Sequence, residues 1–144
     1  MKNLYFKIFI YMLGTINIMT QAVQLASSHQ DLIILTKPLQ QLMNKDPEMH
    51  KLLTSAQENF DDAIKKTIKA MKFIEEKKVN PKNSRIKIAS EAVQQANNAW
   101  DAAHTSYETL KTTATKRKIK FGNTIDRIIN IINESKKELK ESFN

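Results

Sequence analysis

Apolar residues recur along most of this chain in steps of three and four, the spacing that lines one face of an α-helix. The cleanest run is Ile86, Ala89, Val93, Ala96, Trp100, Ala103, Tyr107, Leu110 and Ala114, a heptad seam of large residues alternating mostly with alanines. Ala92 and Ala99 flank it, so a partner helix can approach closely. Upstream, Met49, Leu53, Ala56, Phe60, Ala63, Thr67, Ala70 and Ile74 form a second stripe, widened by Leu52, Ile64, Ile68 and Met71. Asp46-Pro47-Glu48 predicts its start: an N-cap acceptor, a proline at the first helical position, and an acid at the positive helix end. The stripe runs to about Lys78, where Asn80-Pro81-Lys82-Asn83 breaks it, with Asn83 or Ser84 expected to cap the next helix. So short a connection favours an antiparallel hairpin.

Past Lys111 the pattern blurs, then resumes as Phe121, Ile125, Ile128, Ile129, Ile132, Leu139 and Phe143. Gly122-Asn123-Thr124 stands at the join, either as a turn with Thr124 capping a new helix or as a glycine inside one long helix. A continuous helix from Ser84 to Ser142 would span about 90 Å and leave its end unpacked, which favours the turn. Before Asp46, Leu32 to Leu35 and Leu39, Leu42 and Met43 predict a short helix kinked at Pro38, or an extended arm followed by a helical turn.

The expectation is an all-α, elongated antiparallel bundle of three or four helices. Composition agrees, for only 2 glycines and 3 prolines interrupt stretches rich in helix formers. Sheets and phosphate-cradling loops, which need glycine, are disfavoured. The 144 residues suit one core.

The first residues read as a cleavable export leader: Lys2 and Lys7, an apolar run from Ile8 to Met19, then small residues. Cleavage is expected after Ala22 or after Ser28, giving a leader over 1–28 and a helical domain over 29–144. An uncleaved anchor is the rival, but the run is shorter than the roughly twenty apolar residues of a membrane span. With no cysteine, the chain has no disulfide, no thiol nucleophile and no site for lipidation at a cysteine. Its formal net charge is +8, and losing Lys2 and Lys7 leaves it basic, so anionic partners are favoured.

Candidate chemistry is sparse. Asp101, His104 and Glu108 share one face of a helix, but one helix makes a poor closed metal site, and neither metal nor cofactor is expected. Asp61, Asp62, Glu75 and Glu76 are adjacent pairs interleaved with lysines, which suits surface pairs such as Asp61 with Lys65 and Asp62 with Lys66 better than convergent catalytic carboxylates. No enzymatic activity is expected. Trp100 and Tyr107 continue the alanine seam and are expected in the core. Asn133-Glu134-Ser135 matches the N-glycosylation triplet, which matters only in a eukaryotic secretory pathway.

The basic run Lys111, Lys116, Arg117, Lys118 and Lys120, with no acid between Glu108 and Asp126, is the most suggestive polar feature. It is the candidate contact for an anionic ligand: a sulfated polysaccharide, an acidic headgroup at a membrane surface or an acidic protein. Nucleic acid is disfavoured for an exported chain. The competing reading is a solvated helix end whose cations favour the negative end of the dipole.

The leader's style, Met1-Lys2-Asn3-Leu4 followed by Phe6, Ile8, Phe9 and Ile10, the Lys/Asn/Ile-rich body and the lack of β signals resemble the small exported helical antigens of Borrelia-type spirochaetes. That resemblance implies a surface-exposed or released protein that binds host components such as complement regulators or matrix polymers. It carries no binding residue over, and the lipidated cysteine of many such antigens is missing here. Two further readings belong to other classes. One is a structural protein that self-associates through the Ala89, Ala96, Ala103 seam. The other is an amphipathic bundle that opens Ile128, Ile129, Ile132 and Met71 to lipid.

Overall fold

The computed structural model describes Gln41 and residues 46–144. The expected leader, its cleavage sites after Ala22 or Ser28, and the expected kink at Pro38 lie outside the described residues. Three helices follow: α1 (Pro47–Val79), α2 (Asn83–Lys116) and α3 (Thr124–Phe143).

Helix α1 starts where the sequence predicts. Asp46 accepts hydrogen bonds from the amides of Glu48 at 3.1 Å and Met49 at 3.3 Å, satisfying donors that a helix start leaves free. Its expected stripe is buried, with Ile64 and Met71 beside it and Leu52 half-buried, whereas Ile68 remains 39% exposed. On α2 the seam from Ala89 to Ala114 is buried together with Ala92 and Ala99. Its first expected member departs: Ile86, three residues into α2, is 39% exposed, although α1 still runs alongside, as the Arg85 guanidinium donating to the Glu76 carbonyl shows. Neither Asn83 nor Ser84 caps α2. The N-cap is Lys82, which makes no side-chain cap bond, and the first turn carries no acid.

The two long helices form an antiparallel hairpin. Asn59 donates to Ser106 at 2.7 Å and Trp100 donates to Thr67 at 2.8 Å, so a later residue of α1 meets an earlier residue of α2. Aromatic rings fill the middle, where Phe60 meets Trp100 and Tyr107 edge-on at 5.2 and 6.4 Å between centroids. Trp100 and Tyr107 are fully buried, as expected.

Helix α3 lies mainly against α2, running antiparallel to it, as Lys111 to Asp126 and Asp101 to Lys136 show. Ile125, Ile128, Ile129, Ile132 and Leu139 are its buried face. It meets α1 only lightly, at Lys77, which donates to the Phe143 carbonyl at 2.7 Å and lies 4.1 Å from the ring centroid. With 20 residues against 34 in α2, α3 is about 20 Å the shorter and covers only part of the hairpin's length. Among the described residues no helix is long and apolar enough to cross a membrane.

Candidate anionic-ligand site

The basic run lies at the corner where α2 ends and the chain turns into α3, beside the start of α1. Local backbone chemistry fixes this corner. The Ile119 amide reaches back to the Ala114 carbonyl at 2.9 Å and the Lys118 amide to Thr115 at 3.0 Å, the paired bonds of a Schellman termination. That motif requires a left-handed residue, and Lys118 supplies it with φ 57°, a conformation usually left to glycine. Gly122 takes a second left-handed position at φ 60°, so the turn is real and α2 does not run on into α3. Thr124 does not cap α3; Asn123 precedes it as N-cap without a side-chain bond.

Between these two points the chain alternates. Ile119 and Phe121 are half-buried and pack on the core, while Lys118 and Lys120 are exposed. The apolar members anchor the loop, and the intervening lysines are thereby held outward.

The five cations of the run do different things. Lys111 pairs with Asp126 in the first turn of α3 at 2.6 Å, and that hydrogen bond and charge raise its pKa above the usual lysine value. Arg117 spans to α1, donating through Nη1 to Asp46 and through Nη2 to Glu48. Its hydrogen bond to Asp46 is the main reason that the carboxyl titrates below its ordinary range, and the backbone amides of Met49 and Glu48 add to the effect. Lys116, Lys118 and Lys120 are exposed and have no ion-pair partner among the described residues. Two cations therefore staple the corner and three stand clear of it. Sequence reasoning found all five positions but missed this division, since the acids that decide it lie in other helices.

An open polar groove of about 480 Å³ runs along α2 to this corner, lined by His104, Thr105, Glu108, Thr109, Thr112, Thr113 and Lys116. His104 and Glu108 share it. Asp101 is instead ion-paired with Lys136, and no group of three or more His, Asp or Glu side chains suited to a metal occurs among the described residues.

The acids weighed for catalysis include two in surface pairs, Asp62 with Lys66 at 2.7 Å and Glu75 with Lys78 at 2.9 Å. The Ala89, Ala96, Ala103 seam is fully buried within the chain, and Ile128, Ile129, Ile132 and Met71 are buried too. Either alternative reading therefore requires the bundle to open. Asn133 of the glycosylation triplet is exposed on α3. Comparison with known protein families, curated proteins and solved structures finds no match to this chain.

Proposed function

We propose that this is an exported, non-enzymatic helical binding protein whose α2–α3 corner contacts an anionic ligand, a sulfated polysaccharide or an acidic surface, outside the cell. The observation that carries the reading is the trio Lys116, Lys118 and Lys120, exposed and unpaired among the described residues on a corner whose backbone is stapled in place. Cations held this way lose less freedom on binding than cations on a free tail. Export rests on the leader pattern over 1–28, and a role as a surface or released antigen rests on the spirochaete-like style of the chain.

Retention on a heparin column across a salt gradient tests the contact. The protein is expected to elute at higher salt than an equally basic helical control, because focused cations release more counterions than dispersed ones. Changing Lys116, Lys118 and Lys120 together to glutamate should bring elution to or below the control, with helicity by circular dichroism unchanged. Arg117 and Lys111 stay intact in this variant, which keeps the staples. Equal retention of the parent and the triple variant would remove the assignment.

A further inference from the structure

The opposite end of the hairpin carries a second basic stretch of a different kind. Lys77, Lys78, Lys82, Arg85 and Lys87 fall between Glu76 and Glu91 with no acid among them. Lys78 is drawn to Glu75 at 2.9 Å, and Lys87 only loosely to Glu91 at 3.9 Å, with 78% of its side chain exposed. Lys82 is exposed and has no ion-pair partner among the described residues.

The same tip concentrates exposed aliphatic surface. Val79 is 48% exposed, Ile86 39% and Ile88 45%, and of the large exposed hydrophobics described only Ile68 lies elsewhere. Singly, such residues are ordinary. Here they crowd one end, where α3 reaches as far as Lys77. Val79 ends α1, while Ile86 and Ile88 sit about 5 and 8 Å along α2 from its first residue. All three therefore fall within the roughly 5–10 Å depth at which apolar groups settle below lipid headgroups.

The uncapped start of α2 adds to the pattern. With Lys82 at the N-cap, no cap bond and no acid in the first turn, its free amides and the positive end of its dipole face outward at the tip. Helix α1, capped by Asp46 and followed by Glu48, is closed against such contact.

We propose that this hairpin tip, Val79 to Ile88, docks end-on onto an anionic lipid surface, with Val79, Ile86 and Ile88 entering the interface and Lys82, Lys87 and the α2 amides meeting lipid phosphates. A polysaccharide would satisfy the cations but leave the isoleucines without a role. The surface is separate from the α2–α3 corner, so either proposal can fail without the other.

Co-sedimentation with vesicles of phosphatidylcholine alone, or with added phosphatidylglycerol, provides the test. Binding should require the anionic lipid, and the Ile86→Ser/Ile88→Ser double variant should lose about tenfold or more in affinity, these being exposed positions whose change leaves the core intact. Lys82→Asp separates folding from binding: it supplies the missing cap, so Tm should rise while vesicle binding falls. In Ile88→Trp, emission should shift to the blue on adding anionic vesicles and be quenched by brominated lipid. The proposal is overturned by serine variants that bind like the parent, by an Ile88→Trp signal that does not respond to vesicles, or by a blue shift that grows with protein concentration alone, which would make a second copy the occupant.

Discussion

The polar side chain at the centre of the core shows how one hydroxyl makes a buried tryptophan affordable. Thr67 is 2% exposed, donates to the Ala63 carbonyl at 2.8 Å and accepts the Trp100 indole N–H at 2.8 Å, so neither buried polar group is left over. Thr67→Val, nearly the same shape, removes the acceptor and strands the indole donor. It is expected to destabilise by about 1–3 kcal/mol in urea unfolding, while Thr67→Ser should recover most of the loss. Equal stability of the valine and serine variants would mean that the bond contributes nothing. Tyr107, also in the core, differs: its hydroxyl has no hydrogen-bond partner among the described residues. Burial raises its pKa above the usual tyrosine value, and the negative charge of Asp61 pushes the same way, so it stays protonated. Periodicity alone placed Thr67, Trp100 and Tyr107 on inward faces. It could not show that one polar group would be matched and another not, because that depends on where the facing helix presents its atoms.

At the level of elements, stripes were legible and ends less so. Asp46-Pro47-Glu48 carries its own capping chemistry within three residues, and α1 begins there. The seam spacing includes Ile86, yet that residue is 39% exposed, since spacing on one helix does not show how closely its partner packs at the last turn. Lys118, Ile119, Lys120 and Phe121 alternate in the sequence, but that the apolar pair packs on the core follows only from the helices they join. Lys111 and Asp126 are 15 residues apart, and Arg117 and Asp46 are 71 apart, so their pairings exist only once the helices are stacked. Lysine at the left-handed Schellman position has a measurable consequence. The left-handed form costs a non-glycine residue about 1–2 kcal/mol, and glycine gives back roughly 0.5–1 kcal/mol through chain entropy. Lys118→Gly is therefore expected to stabilise the fold by about 0.5–1 kcal/mol in thermal unfolding, while lowering the salt at which heparin releases the protein. A variant that is less stable would show that the Lys118 side chain contributes more to the corner than its backbone strain costs.

Across the whole molecule, Arg117 joins the end of α2 to the start of α1, and one carboxylate serves both the clamp and the cap. Asp46 receives the Arg117 guanidinium and the amides of Glu48 and Met49, and each contact favours its ionised form. Because its pKa in the fold lies below the ordinary 3.8, its stabilisation is complete above that value and is lost as pH falls through the lower, folded value. Lys111 acts at the other limit: raised by Asp126, it contributes fully below its ordinary 10.5 and is lost as pH climbs through its folded value. Both staples are thus charged across the neutral range, and the corner should keep its geometry there. Replacing Arg117 by glutamine removes the largest influence on Asp46 while leaving the two amides. In that variant the Asp46 carboxyl, followed by carbon-detected NMR, should titrate higher than in the parent, and the acid limb of the stability curve should become shallower. The clamp is partly exposed, so high salt should weaken it in the parent and narrow the difference between the two proteins. An Asp46 titration unmoved by the substitution would assign its low pKa to the helix cap alone and leave Arg117 as a cation of the corner like Lys116, Lys118 and Lys120.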